Sequence, residues 1–234
     1  MTPPVLELWG VSKSYGALRP LRIEELRVED GESVALIGLD QPAAETFISL
    51  VTGASLPDRG DVRVFGRLTS DIADSADWLA NLDRFGIVSD RGALLEGLTI
   101  IQNLALPYSL DVEPPPADIR LKAIGLAQEV EIPEGLWEHR AADLSGAVRS
   151  RVRVGRALAL RPSLLLVEHP TASVASTETR RIARTVRAVA DRRRIAIMTL
   201  TSDRQFASAA SSRVLILEPA TGRATLASPK GHGR

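Results

Sequence analysis

The hydrophobic pattern of the chain is dominated by short, continuous apolar runs, the clearest of which are residues 33–37, 164–167 and 195–198. Runs of this length are typical of strands that are buried on both faces of a parallel sheet. Apolar residues at helical spacing follow the first two runs, as in the segment that contains Phe47 and Leu50. This alternation of strands with helices predicts an α/β fold with a mainly parallel sheet core.

A second group of segments alternates apolar and polar residues, which is the pattern of a strand with one buried face. These segments predict strands at residues 5–9, 21–28 and 62–66. A short strand is expected at residues 87–88, and a polar turn that contains Tyr15 is expected at residues 11–16. Near the end of the chain, residues 214–217 and 223–226 predict a terminal hairpin.

The region from residue 94 to residue 132 has a helical pattern, interrupted by three prolines at 114–116 that predict an exposed connection. Further along, Ser145 is a natural N-cap for another helix. The apolar face of that helix is expected at Val148, Val152, Gly155 and Ala159. Four arginines are expected to point away from that face: Arg149, Arg151, Arg153 and Arg156.

Residues 38–46 lie between the first buried strand and its helix, which is where a phosphate-binding loop would stand. Such a loop follows the pattern G-x-x-x-x-G-K-[ST], in which backbone amides surround the phosphates, the lysine reaches the outer phosphates and the hydroxyl holds Mg²⁺. Counted from Gly38, the lysine position is Ala44 and the hydroxyl position is Glu45. The strand, loop and helix are in the correct order, but of the fixed positions only Gly38 matches.

Composition narrows the function classes. The 234 residues are 44% hydrophobic, which is ample for a buried core, and 29 basic residues balance 29 acidic ones. A net charge of zero gives no support to nucleic acid as a partner, and the lack of cysteine removes disulfide and thiolate chemistry. Because no apolar run approaches the roughly 18 residues of a membrane span, we expect a cytoplasmic protein that meets a membrane only through a partner.

From about residue 5 to residue 218, the order and spacing of several blocks resemble the nucleotide-binding subunit of an ABC transporter. The turn at residues 11–16 resembles the one whose aromatic residue stacks on adenine, so Tyr15 is its counterpart. Residues 164–171 resemble the Walker B strand and the D-E-P-T that follows it. Leu144-Ser145-Gly146 resembles the start of the LSGGQ signature, and residues 155–159 resemble its continuation.

The resemblance implies a P-loop NTPase-like fold, with an antiparallel β subdomain and a helical subdomain at about residues 91–160 added to the parallel core. It also implies a single cassette domain over residues 1–227, and we expect the tail at 228–234 to be disordered. Within the family, the sequence motif at residues 92–107 is most similar to that of ATPases of Mla/MCE-type lipid transport and of lipoprotein release.

The chain departs from the family at the positions that bind nucleotide and metal. The lysine of the phosphate loop is replaced by Ala44, and the Mg²⁺-binding hydroxyl by Glu45, which Thr46 follows. The glutamine of the Q-loop is replaced by Asp90, and the Walker B aspartate by Glu168. The resemblance therefore implies a degenerate nucleotide site and no metal site, with ATP and Mg²⁺ as doubtful ligands.

The positions that carry catalysis also differ from the family. His169 stands where the family has its catalytic glutamate, and Ser202 stands where it has the switch histidine. Ala175 replaces the D-loop aspartate, and Ala147 and Val148 replace the Gly and Gln of the signature. We therefore assign no catalytic residue with the family's own chemistry.

These observations favour a transporter subunit, in a lipid-related system, that docks on a membrane permease at the inner face of the cell membrane and hydrolyses little or no ATP. It would form a homodimer, or a heterodimer in which its own signature completes the site of an active cassette. One alternative is an ATPase with unusual chemistry, in which Glu168 binds metal and His169 is the base. Another is a soluble regulator that has left transport.

Several residues allow two interpretations. Glu45 either fills the place of a phosphate and holds the loop without nucleotide, or is a carboxylate that interacts with the helix dipole in the first turn. On the first interpretation, restoring lysine and serine at 44 and 45 should allow ATP binding. Glu168 is either a metal ligand or a structural hydrogen-bond acceptor, and Tyr15 is either an adenine platform or a residue that packs the turn.

Overall fold

Residues 3–227, which the computed structural model describes, form ten strands and seven α-helices. The strands are β1 (Leu6–Lys13), β2 (Leu21–Val28), β3 (Ser33–Ile37), β4 (Arg59–Val64), β5 (Arg67–Leu68), β6 (Phe85–Ser89), β7 (Leu164–Glu168), β8 (Ala196–Leu200), β9 (Arg213–Glu218) and β10 (Arg223–Leu226). The helices are α1 (Gln41–Val51), α2 (Ser75–Leu82), α3 (Ile100–Ala105), α4 (Ala117–Glu129), α5 (Gly146–Leu158), α6 (Ser176–Arg193) and α7 (Arg204–Ala210). The tail at 228–234, for which disorder is expected, lies outside the described residues.

The central sheet has six strands in the order β10-β9-β3-β8-β7-β6. All neighbours pair in parallel except β10, which pairs antiparallel with β9 in the predicted terminal hairpin. Strands β3, β7 and β8 are buried at every position, because both faces of the sheet are covered. The predicted α/β fold with a mainly parallel core is confirmed.

A second sheet, antiparallel and in the order β2-β1-β4-β5, packs its apolar face against α1 and the central sheet. The antiparallel β subdomain is thus confirmed. The turn predicted to begin at residue 11 is wrong at its start, since β1 continues to Lys13 and Val11 pairs with Ile23. Val11 is buried in this sheet, and its burial keeps the chain extended beyond the point where polar residues begin.

Helices α3, α4 and α5 lie within residues 91–160 and share one apolar core with α6 and the neighbouring face of the central sheet. Ser145 accepts a hydrogen bond from the backbone N–H of Val148, which confirms it as the N-cap of α5. Arg151 lies off the Val152 face but is buried, and its guanidinium donates to the carbonyl of Glu131. Burial lowers the pKa of Arg151. No helix in the described part of the chain has the length and apolar character needed to cross a bilayer.

The carboxyl ends of β3, β6, β7 and β8 meet at one edge of the central sheet. The strand register places Ser89 of β6 opposite Glu168 of β7, and Glu168 opposite Leu200 of β8. The loops that follow these strands therefore converge, and this is the edge at which open α/β sheets bind ligands.

Candidate functional site

The loop after β3 turns sharply into α1 and depends on Gly38. Its φ is +116°, and a Cβ at this position would lie 2.6 Å from the carbonyl oxygen of Leu217, so only glycine fits. Asp40 is the N-cap of α1, where its carboxylate accepts from the N–H of Ala43 at 2.9 Å. The interpretation of Glu45 as the first-turn carboxylate is wrong, because Glu45 is the fifth residue of the helix and Asp40 has the capping position.

Glu45 instead belongs to a polar cluster at the sheet edge, which we call the Arg91 cluster: Gln41, Glu45, Arg91 and Glu168. Arg91 Nη1 lies 3.0 Å from Glu45 Oε2, and Arg91 Nη2 lies 3.7 Å from Glu168 Oε2. Gln41 Nε2 donates to Glu168 Oε1 at 2.8 Å and to Glu45 Oε1 at 3.3 Å. The cluster thus joins the start of α1, the end of β7 and the loop after β6.

The members of the Arg91 cluster differ sharply in exposure. The side chain of Glu168 is 1% exposed, whereas that of Arg91 is 57% exposed. Glu168 Oε2 has no hydrogen-bond partner among residues 3–227, and the guanidinium of Arg91 is the cation that faces it. A buried carboxylate is stable only when it is hydrogen-bonded or paired, so Gln41 and Arg91 together account for the burial of Glu168.

Asp90, the residue before Arg91, points in a different direction and binds α5. Its carboxylate lies 2.8 Å from Arg153 Nη1 and accepts from Ser173 Oγ at 3.3 Å. Arg153 also donates to the carbonyls of Asp90 and Gly92, and Arg156 donates to that of Ala93. Burial lowers the pKa of both arginines, and Asp90 acts in the opposite direction on Arg153. The loop after β6 is therefore fastened to α5 along its length.

The other residues predicted for a nucleotide site, Ala44, Thr46 and Tyr15, are buried or contact neighbouring parts of the fold. Ala44 is fully buried, and Thr46 Oγ1 donates to the carbonyl of Pro42 at 2.8 Å. Tyr15 packs against the core that α1 shares with the antiparallel sheet, and it lines a cavity of about 130 Å³ beside Gly38. Burial, together with the charge of Asp40, raises the pKa of the Tyr15 phenol.

His169 and Ser202 follow β7 and β8, so the structure brings them to the same edge. The backbone N–H of His169 donates to the carbonyl of Leu200 at 2.8 Å, and its φ of +39° is unusual for a residue with a side chain. His169 Nε2 is buried and has no hydrogen-bond partner in the described part of the chain. Ser202 is exposed, and the adjacent Asp203 caps α7 through the N–H groups of Gln205 and Phe206.

The residues at the start of the signature-like segment form the N-terminus of α5. Leu144 precedes the N-cap Ser145, and Gly146 is the first residue of α5. A Cβ on Gly146 would lie 1.9 Å from the carbonyl oxygen of Ser173, the residue that also binds Asp90. Ser145 therefore caps α5, and Gly146 is required by the packing of α5 against Ser173.

Sequence reasoning missed two members of the Arg91 cluster, Gln41 and Arg91. Both lie far along the chain from Glu168, and no periodic pattern reports such a contact. A signal was present nonetheless, because Glu45 and Glu168 were both expected at the same sheet edge, where two carboxylates require a cation or a donor. Within residues 3–227 no group of three His, Asp or Glu side chains has the arrangement of a metal site.

Known proteins resemble this chain in sequence and in fold. No protein-family model matches the chain. It is 32% identical over 213 residues to the sulfate/thiosulfate import ATP-binding protein CysA of Caulobacter vibrioides, a match that covers 89% of this chain and 60% of CysA. It is 30% identical over 179 residues to the lipoprotein-releasing system ATP-binding protein LolD of Saccharophagus degradans, which covers 74% of this chain and 77% of LolD. The chain thus spans about 60% of the length of the CysA relatives.

Solved structures support the same fold. The dimeric ATP-binding cassette MJ0796, in a post-hydrolysis state bound to ADP and Pi, superposes with a TM-score of 0.75 at 21% identity, covering 94% of this chain and 98% of that one. The protein cbiO1 from Clostridium perfringens, part of the ABC transporter complex cbiONQ, superposes with a TM-score of 0.80 at 18% identity, covering 96% and 88%. These likenesses confirm the P-loop NTPase-like fold expected from the sequence.

Proposed function

The chain belongs to the ATP-binding subunits of ABC transporters, and from that premise we propose that it serves in a membrane transporter without hydrolysing ATP at its own site. One observation carries the proposal. At the two positions where the family holds Mg²⁺, this chain has Glu45 and Glu168, and both are bound by Arg91 and Gln41 of the same chain.

Three further features of the loop after β3 and its surroundings do not fit Mg²⁺-ATP. Ala44 supplies no cation, and a lysine about 4 Å from a phosphate charge contributes on the order of 4 kcal/mol at an effective dielectric of 20, which is roughly a thousandfold in affinity. Pro42 has no N–H to offer to a phosphate. The cavity of about 130 Å³ beside Tyr15 is small against the roughly 300–1,000 Å³ of ligand pockets.

A groove beside α5 supports a membrane permease as the partner. The groove has a volume of about 590 Å³ and runs along β6, the loop after it and α5. The exposed apolar side chains of Ile87, Leu95, Leu110 and Leu160 line it. Exposed apolar surface of this kind is a common mark of a protein interface. We propose that an apolar cytoplasmic segment of the permease binds there and holds the subunit at the inner face of the membrane.

A second cassette is the other partner in this proposal. MJ0796 forms a dimer in its solved structures. The segment at the start of α5 that resembles the family signature leaves Ser145 exposed. In a heterodimer with an active cassette, this segment would complete the partner's site. In a homodimer, both sites would carry the Arg91 cluster.

The cargo proposal rests on the resemblance to lipoprotein-release and lipid-transport cassettes. LolD relatives support it, whereas CysA relatives act in sulfate/thiosulfate import at similar identity. Asn103, part of the motif that suggested lipids, is fully buried and binds the backbone of Leu95, Leu98 and Thr99. That motif therefore reports on how the helical segment folds, and a lipid-related cargo is a hypothesis about the permease rather than about this site.

One observation favours an alternative, an ATPase with unusual chemistry. Within residues 3–227, His169 Nε2 has no hydrogen-bond partner, and His169 follows β7 at the edge where open α/β sheets bind ligands. The imidazole is therefore not committed to another described group and is available as a base. Against this, Glu168 is held by Gln41 and Arg91 and is not free to bind metal.

Calorimetric titration with Mg²⁺-ATP, together with a phosphate-release assay, tests the proposal. We expect neither micromolar binding nor turnover by the wild-type protein. Turnover that H169A abolishes would establish the alternative.

Co-purification with a membrane permease separates a transporter subunit from a soluble regulator. If L110D loses this association and L18D, a change at an exposed residue outside the groove, keeps it, the result supports the groove as the binding site of the permease.

A further inference from the structure

We propose that the guanidinium of Arg91 permanently replaces the divalent cation of the family's site, and that removing it converts Glu45 and Glu168 into a site that binds a divalent metal ion. This inference rests on the proposed function, because it explains how the altered site stays folded without Mg²⁺ or nucleotide. It concerns a residue that matches no motif of the family.

The first step is positional. Glu45 stands at the hydroxyl position of the phosphate loop, and Glu168 stands at the Walker B aspartate position. The family uses these two positions together to hold its cation. In this chain the two Nη atoms of one guanidinium reach them, at 3.0 Å from Glu45 and 3.7 Å from Glu168. One positive group thus lies between the two side chains that would otherwise face a metal ion.

The second step concerns charge. Two carboxylates that face each other at a sheet edge repel unless a cation lies between them. Arg has a planar, permanently charged fork that contacts two acceptors at once, which a point charge such as lysine does less well. The replacement of a hydroxyl by Glu45 gives that fork its second acceptor. Gln41 completes the set by donating to the other oxygen of each carboxylate, Oε1 of Glu45 and Oε1 of Glu168.

One carboxylate oxygen of the Arg91 cluster, Glu168 Oε2, is available to a metal ion. Glu168 Oε2 is buried, has no hydrogen-bond partner among residues 3–227, and faces Arg91 at 3.7 Å. That distance is longer than a hydrogen bond, so the attraction is one of charge. An oxygen in this state is a free ligand for a small hard cation once the guanidinium is gone. Because Arg91 is 57% exposed, an ion from solvent can reach the same place.

Arg91 faces inward because the residues on both sides of it are bound to α5. Asp90 is fixed to α5 by Arg153 and Ser173. The loop carbonyls of Gly92 and Ala93 are bound by Arg153 and Arg156. With the residues on both sides bound to α5, the side chain of Arg91 is directed at Glu45 of α1 and Glu168 of β7. Its position is therefore built by the fold and is more than a chance surface pair.

Titration of purified R91M with Mn²⁺ tests the inference, read by the loss of the free-Mn²⁺ electron paramagnetic resonance signal and by the shift in Tm. We expect R91M to bind Mn²⁺ on the order of tenfold more tightly than the wild type, or better, and to gain several degrees in Tm when the ion is added. The matched control is R120M, which removes an exposed arginine paired with Glu138 and should behave as the wild type does. The double variant E45Q/R91M should lose the gained site.

Folded R91M that binds Mn²⁺ no better than R120M would overturn the inference, as would wild-type protein that binds Mn²⁺ as tightly as R91M. If R91M is unfolded without added ion, its refolding with and without Mn²⁺ decides the question. Recovery only with Mn²⁺ supports the inference, and failure to recover overturns it. ATP turnover by the wild type would overturn the proposed function alone, since the Mn²⁺ titrations contain no nucleotide.

Discussion

The guanidinium of Arg153 lies 2.8 Å from the carboxylate of Asp90 and joins helix α5 to the loop after β6. The Arg153 side chain is 10% exposed, so loss of Asp90 leaves its charge largely buried. We expect D90A to lower the free energy of unfolding by about 2–4 kcal/mol, at or below the range for breaking a buried pair. Urea denaturation measures this change. The control E138Q breaks the exposed pair with Arg120 and should cost less than about 1 kcal/mol.

Restoring the phosphate loop requires more than lysine and serine at 44 and 45. Gln41 is the first residue of α1, and its side chain donates to Glu168 at the end of β7, beside the loop that would hold the phosphates. We expect A44K/E45S to bind ATP weakly, and Q41G/A44K/E45S to bind more tightly by roughly tenfold or more, as measured by calorimetry. Equal affinities in the two variants would show that Gln41 does not obstruct the phosphates. Tight binding by the wild type would contradict the idea that the native loop is closed to nucleotide.

Gly38 should be intolerant of any side chain. A Cβ there meets the Leu217 carbonyl at 2.6 Å, and φ is +116°. We expect G38A to lose roughly 1–3 kcal/mol from backbone strain and a further 1–3 kcal/mol or so from overpacking, seen as a lower Tm. Gly97, which has open space around it and no positive φ, provides the matched control in G97A. A similar Tm for the two variants would contradict the assigned role of Gly38.

Asp58 should make the turn before Tyr15 sensitive to acid. Its carboxylate accepts from the N–H of Ser14 at 2.7 Å and pairs with Lys13. The Ser14 hydrogen bond, with a smaller contribution from Lys13, lowers the pKa of Asp58. The stabilisation is therefore complete above the unfolded-state pKa of about 4 and is lost as the pH falls through the lower folded-state pKa.

The matched variant for that window is D58N, which lacks the titrating group. We expect D58N to be less stable than the wild type near neutral pH, and the difference in Tm to shrink as the pH falls below about 4. Thermal unfolding followed by circular dichroism at a series of pH values measures this difference. A difference that does not change with pH would rule out Asp58 as the source of the acid sensitivity.

Much of the fold followed from local pattern. The buried runs at β3, β7 and β8 became fully buried strands because a continuous apolar run has no polar face to leave in water. Helix α2 was not predicted, and it has no buried residue from which a periodic pattern could arise. The end of β1 was misjudged, since burial of Val11 outweighs the polar residues that follow it.

The chemistry of the site depended on contacts that no local pattern contains. Of the two interpretations of Glu45, the first-turn carboxylate is wrong because the N-cap of α1 is Asp40, five residues earlier. Arg91 follows the Q-loop position and belongs to none of the family-like motifs, yet it is the residue that reaches Glu45 and Glu168. The signature glycine shows the converse, because Gly146 is required by its contact with the Ser173 carbonyl. Its presence is therefore not by itself a sign of phosphate binding.

Asp90 and Arg91 are consecutive residues with attachments in different parts of the molecule. Asp90 is bound to α5, and Arg91 is bound to the first helix and to the central sheet. Their Cα atoms are separated by one peptide unit, about 3.8 Å. The attachment to α5 and the attachment to α1 and the central sheet are therefore made by adjacent residues. A displacement of α5 would therefore be passed to Glu45 and Glu168 through a single peptide unit.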